Sequence, residues 1–264
     1  MDRLQEGLRV VKDKLDGSNR RLLYLVVSGS HAWGLDRPDS DIDLRGVYQD
    51  PTTKLLQLNK GKDNIEFSYD DYDIQLYEIE KFLRMLCNHN GNMVNLLWLP
   101  KPIAITLHVP WAGLARQFLT QRLRYYYRGY AESQRKRAMS QRGGKALIYT
   151  YREIFSGIYT MKYGVMEHNF MKLWDEAKKQ GWYTGSLLDR YFPDPTQEVT
   201  DEGWHQFYSE WGELVTKLEE ETNQSSLPET FDGLDECNCI LKQLRLYNLF
   251  DTGGGLNNGK EVST

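Results

Sequence analysis

The sequence predicts an α+β protein in which a small mixed sheet with flanking helices is followed by a mainly helical region. Short segments rich in β-branched and aromatic residues lie before residue 80, which is typical of strands. Beyond residue 80, apolar residues recur at helical spacing. The length of 264 residues allows one large domain or two modest ones.

The first part of the chain reads as one helix and four strands. Leu4, Leu8, Val11 and Leu15 recur at helical spacing, so we expect an amphipathic helix that ends near Gly17. The segment "RRLLYLVV" predicts a buried strand that ends at the following Gly-Ser pair. Further strands are predicted for "DIDLRGVY", "NIEFSY" and "DYDIQLYEI".

The rest of the chain predicts helices. The segments are "EIEKFLRMLCNHN", "NMVNLLWL", "RGGKALIYTYREIFSGIYTMKYG", "GWHQFYSEWGELVTKLEEE" and "ECNCILKQLRLYNL". We interpret their aromatic stripes as core positions rather than as a binding site. Prolines after residue 99 suggest a domain boundary, which gives a first domain at 1–105, a helical domain at 106–250 and a Gly/Asn-rich flexible tail at 251–264.

Composition argues against a membrane or disulfide-rich protein. The net charge is only -4, and no apolar run approaches the roughly 18–20 residues of a membrane helix. The segment "MDRLQEGLRV" lacks the apolar stretch of a signal peptide. Cys87, Cys237 and Cys239 are too few for a disulfide framework and lack zinc-ligand spacing. A reducing, cytoplasmic setting is therefore expected.

Charge is distributed unevenly along the chain. Residues 36–80 contain twelve acids and five bases, whereas residues 116–152 contain ten bases and one acid. The two segments could be halves of a site that handles metal and phosphate. They could equally be solvated helix faces, and charge alone leaves both interpretations open.

The strongest chemical signal is a carboxylate pair after a Gly-Ser turn. If the second strand includes both Asp41 and Asp43, they share one face about 7 Å apart along the chain. Paired carboxylates of this kind suit a hard cation such as Mg²⁺. Upstream, Gly29 permits a tight turn, and Ser30 offers a hydroxyl and backbone N–H groups to a phosphate. The simpler alternative is a turn at Asp41 and an exposed strand residue at Asp43, but the combined features favour the metal-phosphate hypothesis.

These residues carry a family resemblance. The stretch "GSHAWGLDRPDSDIDLRGVY" resembles the G-S-x10-D-x-D signature of the DNA-polymerase-β-like nucleotidyltransferase superfamily. The segments "SDIDLRGVY", "DIQLYEIEKFLRML", "YRGYAESQ" and "KALIYTYREIFSG" are similar to its predicted-nucleotidyltransferase branch linked to RNA repair. The resemblance runs from about residue 23 to residue 164, so residues 1–105 are expected to form the nucleotidyltransferase domain.

The resemblance implies a set of catalytic acids. Asp41, Asp43 and a third acid on a later strand would bind two Mg²⁺, with Mn²⁺ as a possible substitute. Asp73 is our choice for the third acid, where it would also assist deprotonation of the attacking hydroxyl. Asp71 shares its strand face and is the alternative. Gly29, Ser30 and Ser40 are then expected to bind the nucleoside triphosphate.

The basic segment supplies candidate phosphate contacts. Arg124, Arg128, Arg135 and Arg137 lie among several tyrosines, a mixture that can bind nucleic acid. Four tyrosines within residues 125–130 cannot share one helix face, so at least one is expected in the core. Lys145 and Arg152 lie seven residues apart on one helix face and match basic positions of the branch. We expect them to contact the triphosphate. Arg45 could contact phosphate or pair with an acid.

The leading hypothesis is a Mg²⁺-dependent nucleotidyltransferase that transfers a nucleoside monophosphate from a nucleoside triphosphate to a hydroxyl. The favoured acceptor, from the branch resemblance and the basic segment, is an RNA 3′ end of tRNA-like type. Alternatives are transfer to a protein or a small molecule, and a non-catalytic nucleotide- or RNA-binding module. The sequence does not predict which triphosphate is used or the oligomeric state.

Overall fold

The computed structural model describes residues 2–251, with side chains to residue 246. The predicted tail, 251–264, lies outside the described residues apart from Asp251, which ends the last helix. In chain order the elements are α1 (Arg3–Asp16), β1 (Arg21–Ser28), α2 (Gly29–Trp33), β2 (Ile42–Gln49), α3 (Thr52–Leu55), β3 (Asn64–Tyr69), β4 (Tyr72–Glu78), α4 (Ile79–Cys87), α5 (Gly91–Trp98), β5 (Ala104–Ile105), α6 (Trp111–Gln117), α7 (Leu123–Gln141), α8 (Gly144–Tyr163), α9 (Phe170–Lys179), α10 (Leu187–Tyr191), α11 (Asp201–Asn223) and α12 (Leu234–Asp251).

The strands form one mixed sheet in the order β3-β4-β2-β1-β5. The central pair, β2 and β4, is parallel, while the other pairs are antiparallel. The parallel register places Asp43 of β2 directly beside Asp73 of β4. Because alternate residues of a strand point to opposite faces, this register puts two of the predicted acids on the same face of the sheet.

The sheet buries apolar side chains on both faces. On one face, α1 packs through Val10, Val11 and Leu15 against alternate residues of the central strands, including Leu44 and Ile74. Asp2 caps α1, since its side chain accepts a hydrogen bond from the N–H of Leu4. The other face carries Asp43 and Arg45 near the start of β2. Elsewhere this face packs against helices. The sheet is therefore a rigid support for polar groups at one end of that second face.

The helical region is built around α8, which is buried along most of its length. Helix α7 packs closely against α8 because Gly157 has no side chain where the Tyr127 ring lies. Tyr127 is only 2% exposed, which confirms that one tyrosine of the cluster belongs to the core. One apolar cluster extends from Val26 in the sheet to Leu244 in α12. Sheet and helices thus share packing contacts.

The α+β fold predicted from sequence is confirmed, and all four predicted strands and the predicted helices are present. The aromatic stripes of α8 and α11 are core, as Tyr151, Phe155 and Phe207 are fully buried. One detail was wrong: β2 begins at Ile42, so Asp41 lies in the preceding loop rather than in the strand. The domain boundary near residue 105 stays a prediction. Within residues 2–251, no helix is long and apolar enough to cross a lipid bilayer.

Candidate active site

A cavity of about 540 Å³ lies where β1 and the start of β2 meet the helical region. Its size is in the range of small-molecule binding sites. Helices α5, α7 and α8 form its other walls. The residues that line it are Ser28, Gly29, Ser30, Trp33, Arg37, Asp39, Ser40, Asp41, Asp43, Arg45, Asn92, Asn95, Tyr126, Tyr130, Gln134, Arg137, Lys145, Tyr149, Arg152 and Glu153. All five predicted nucleotide-binding residues are therefore in one cavity with Asp41 and Asp43.

The Gly-Ser turn lies directly against Asp43. Gly29 has a φ of +65°, a conformation that favours glycine, and it begins the short helix α2. A Cβ at this position would lie 1.8 Å from the Asp43 carboxylate oxygen Oδ2. Glycine is thus required here for two reasons, because the backbone angle and the close carboxylate both exclude a side chain.

The loop before β2 is held by Ser40. Its hydroxyl accepts a hydrogen bond from the backbone N–H of Arg37 at 2.8 Å, and its own N–H donates to the Arg37 carbonyl at 2.9 Å. The His31 ring donates to the Ser40 carbonyl at 3.3 Å. These bonds fix the chain just before Asp41, so Ser40 has a structural role in addition to its place in the cavity wall.

Arg45 connects two of the three predicted acids. Its Nη2 lies 2.9 Å from Asp43 Oδ1 and 2.9 Å from Asp73 Oδ2. Its Nη1 donates to the backbone carbonyl of Asp73 at 2.8 Å. The alternative third acid, Asp71, is instead paired with Arg3 of α1. The structure therefore brings Asp73, rather than Asp71, next to Asp43 through a shared arginine.

The electrostatics of the acids favour an added cation. Burial raises the pKa of Asp43, and the neighbouring Asp73 and Asp41 charges raise it further, while Arg45 lowers it. The structure thus leaves negative charge at Asp43 only partly compensated. Among residues 2–251, no three His, Cys, Asp or Glu side chains are already arranged to hold a metal ion. The oxygen donors of Asp41 and Asp43 nonetheless fit Mg²⁺ in chemistry and in sharing one cavity wall.

Cationic side chains from α7 and α8 form the opposite wall. Lys145 and Arg137 are exposed to the cavity, and the Lys145 amine lies 5.8 Å from the centre of the Tyr149 ring. Arg152 is 2% exposed, and its guanidinium lies 4.1 Å from the centre of the Trp33 ring. The predicted pair on α8 is thus brought together with the Gly-Ser turn, one cation exposed and the other buried.

The buried end of this wall carries a second ion pair. Arg152 is paired with Glu153, and burial raises the pKa of that carboxyl, with Arg152 acting in the opposite direction. Among the described residues the Nε of Arg152 has no hydrogen-bond partner. A buried donor without a partner is costly, so this guanidinium has unused capacity for an anionic ligand.

The four arginines predicted to bind nucleic acid are not brought together. Arg137 lines the cavity. The others contact neighbours on the helical surface, where Arg124 donates to the Tyr125 hydroxyl at 2.7 Å, Arg128 lies 3.3 Å from Glu219, and Arg135 lies 2.6 Å from Glu132. Because Arg128 and Arg135 are already paired with acids, they are weaker candidates for phosphate contacts than Arg137.

Several cavity residues were not predicted from sequence. Asn92 and Asn95 come from α5, Gln134 from α7, and Glu153 from α8. Asn92, Asn95 and Glu153 lie within segments whose apolar pattern predicts packing, and Gln134 lies among the arginines of the basic segment, so the surrounding residues did not single out any of the four. Their position follows from how three helices meet, which a single sequence does not encode locally.

The comparisons with known proteins concern most of the chain. A family model, described as the RNA repair pathway DNA polymerase beta family, matches residues 2–243. The uncharacterized protein MJ0002 of Methanocaldococcus jannaschii is 26% identical over 155 residues, which are 56% of this chain and 63% of that protein. The uncharacterized protein YcgL of Bacillus subtilis is 33% identical over 84 residues, 31% of this chain and 32% of that protein. The chain spans less than two thirds of the length of each of these relatives.

Proposed function

Because this chain belongs to the RNA repair pathway DNA polymerase beta family, we propose that it transfers a nucleoside monophosphate from a nucleoside triphosphate to the 3′ hydroxyl of an RNA. The family supports a polymerase-β-like nucleotidyltransferase in RNA repair. The acceptor, the triphosphate and the dependence on Mg²⁺ are parts of the proposal.

One observation carries the proposal: the Gly-Ser turn, Asp43 and the cations Lys145 and Arg152 line one cavity. A triphosphate needs donors and positive charge along its length; the turn and Arg152 offer donors, and Lys145 offers positive charge. Asp41 and Asp43, which line the same cavity, would repel it without a cation between them. A site that holds acids and phosphate-binding groups in one cavity is what a metal-assisted phosphoryl displacement requires.

Asp41, Asp43 and Asp73 would hold the Mg²⁺ ions. When bound, the ions neutralise phosphate charge and polarise the phosphorus that is attacked. Mn²⁺ can take the same oxygen ligands. Arg45 would compete with these ions for Asp43 and Asp73, since it already donates hydrogen bonds to both carboxylates.

The acceptor hydroxyl oxygen forms a bond to the α-phosphorus, and the bond from that phosphorus to the oxygen bridging to the β-phosphate breaks. Pyrophosphate leaves with the electron pair. The hydroxyl proton passes to the Asp73 carboxylate, which is more exposed than that of Asp43 and so can return the proton to water. Lys145 and Arg152 stabilise the charge that develops on the leaving group.

The test offers each of the four α-labelled triphosphates with Mg²⁺, total RNA and total protein. We expect label in the RNA fraction. Asp43→Asn should reduce labelling at least about 100-fold, because it removes charge at the reacting centre. Asp70→Asn is the matched control, since Asp70 is an exposed acid of the turn before β4 and is absent from the cavity wall. Label in protein alone, or full labelling by Asp43→Asn, would contradict the proposal.

A further inference from the structure

A second, smaller cavity of about 190 Å³ is also lined by Arg45. It shares Ser28, Arg45, Asn92 and Asn95 with the first cavity, so the two are adjacent. Its remaining wall is formed by Gln75, Tyr77, Met93, Leu96 and Leu99. Arg45 thus lines both a cavity rich in charge and one whose other described lining residues are uncharged.

We propose that this second cavity, the Gln75 cavity, binds the 3′-terminal nucleoside of the RNA acceptor. The inference rests on the proposed function, because it assigns the acceptor a place relative to the triphosphate. It adds a binding site to the face of β4 that carries Asp73.

The position of the Gln75 cavity supports this assignment. Asp73, Gln75 and Tyr77 alternate along β4 and therefore share one face of the sheet. Gln75 is beside Arg45 in the parallel register, as Asp73 is beside Asp43. Asp73 does not line the Gln75 cavity, but it precedes Gln75 by two residues on the same face of β4, so we place the acceptor hydroxyl at the side of the cavity nearest this acid.

The chemistry of the lining favours a nucleoside over a phosphate. Three amides, those of Gln75, Asn92 and Asn95, can donate and accept hydrogen bonds, which suits the edge of a base and ribose hydroxyls. Tyr77 offers a ring for stacking, and burial raises the pKa of its phenol, so it remains a neutral donor. Met93, Leu96 and Leu99 provide an apolar floor. RNA ends are recognised by this combination of aromatic and amide groups.

The amide of Gln75 is already oriented. Its Nε2 donates to Glu66 Oε1 at 2.6 Å, across the pair of strands β3 and β4. This orientation allows the side-chain carbonyl of Gln75 to accept a hydrogen bond from a base or ribose. Orientation before binding reduces the entropy lost when the acceptor is ordered.

The experiment fills the Gln75 cavity and leaves the first cavity intact. Gln75→Trp, Gln75→Ala and wild type are compared in transfer from an α-labelled triphosphate to a short single-stranded RNA with a free 3′ hydroxyl. Gln75→Trp should lower kcat/KM for the RNA about 100-fold, because the acceptor hydroxyl is displaced from the reacting phosphorus. Gln75→Ala should lower it about fivefold, the loss of one hydrogen bond. Binding of a non-hydrolysable triphosphate should stay within about twofold for both variants.

Ile105→Trp is the matched control, because Ile105 is an exposed residue on β5, at the far edge of the same sheet. It should transfer like wild type. Wild-type transfer to RNA by Gln75→Trp would overturn the inference, as would a parallel loss of triphosphate binding. A wild-type protein that binds triphosphate but labels no RNA would instead overturn the proposed function, and the inference with it.

Discussion

Arg45 is the residue that balances the negative charge of Asp43 and Asp73. It donates to the carboxylates of Asp43 and Asp73 and is itself fixed by the Asp73 carbonyl. A guanidinium in this position acts as an internal counter-ion for groups that would otherwise repel each other. The sequence left Arg45 open between phosphate binding and pairing with an acid. The structure pairs it with acids, through a strand register that only the folded sheet provides.

Arg45→Gln should bind divalent cations more tightly and be less stable without them. Removal of the positive charge leaves the carboxylates free for a metal, and we expect the Kd for Mn²⁺ to fall about tenfold. Metal-free stability should fall by about 1 kcal/mol, a small value because Asp73 is half exposed. Isothermal titration calorimetry and thermal unfolding with and without Mn²⁺ measure both effects.

Lys81→Gln is the control for Arg45→Gln, since it also removes one positive charge that is paired with an acid, at 2.7 Å from Asp63. It should leave Mn²⁺ affinity unchanged. Weaker Mn²⁺ binding by Arg45→Gln would mean that the guanidinium positions the ligands rather than competing with the metal.

Helices α7 and α8 form the contact that closes one side of the cavity. A Cβ on Gly157 would lie 2.8 Å from the Tyr127 Cβ and 3.2 Å from Leu218 Cδ1. The close approach of the two helices therefore depends on a glycine within α8. It also sets the distance from Arg137 and Gln134 on α7 to Lys145 and Arg152 on α8.

Gly157→Ala should destabilise the protein by about 1–3 kcal/mol, because the added methyl group overpacks the helix contact. Chemical denaturation measures the change in the free energy of unfolding. Gly129→Ala on α7 is the matched control, since nothing lies within 4 Å of its added Cβ. It should stabilise the protein by about 0.5–1 kcal/mol through helix propensity. Equal effects of the two substitutions would show that the α7–α8 contact is not tight.

The elements that were predicted each carry an apolar pattern of their own. The strands β1 to β4 and the long helices α8 and α11 carry apolar periodicity and were predicted. The two-residue β5 was not, because it exists through pairing with Tyr24 and Leu25 of β1. The same reason applies to the site: the Gly-Ser turn and Asp43 are local in sequence, whereas Asn95 and Gln134 reach the cavity only through helix packing.

The whole molecule separates its charges in space as well as in sequence. The acidic segment supplies the sheet side of the cavity through Asp41 and Asp43, and the basic segment supplies the opposite side through Arg137, Lys145 and Arg152. This arrangement supports the hypothesis of two halves of one site. The alternative interpretation, a solvated helix face, holds for part of the basic segment, since Arg128 and Arg135 are paired with surface acids.

Arg137→Ala should therefore weaken RNA binding more than Arg128→Ala. For Arg137→Ala we expect RNA affinity at low salt to fall about tenfold, because a phosphate contact is removed. The slope of log affinity against log salt concentration should become less steep by about one. Arg128→Ala should change affinity less than about twofold, since its charge is already offset by Glu219. Fluorescence anisotropy of a labelled RNA at several salt concentrations measures both. Equal losses would place the RNA path on the outer face of α7.

The central claim is that Asp43 belongs to a site that transfers the α-phosphoryl group, with its nucleoside, to RNA. Paired reactions with one triphosphate, labelled either at the α- or at the γ-phosphate, test it most directly. We expect α-label in RNA and γ-label in released pyrophosphate, both lost in Asp43→Asn. Appearance of γ-label in RNA, or α-label transferred by Asp43→Asn at the wild-type rate, would contradict it.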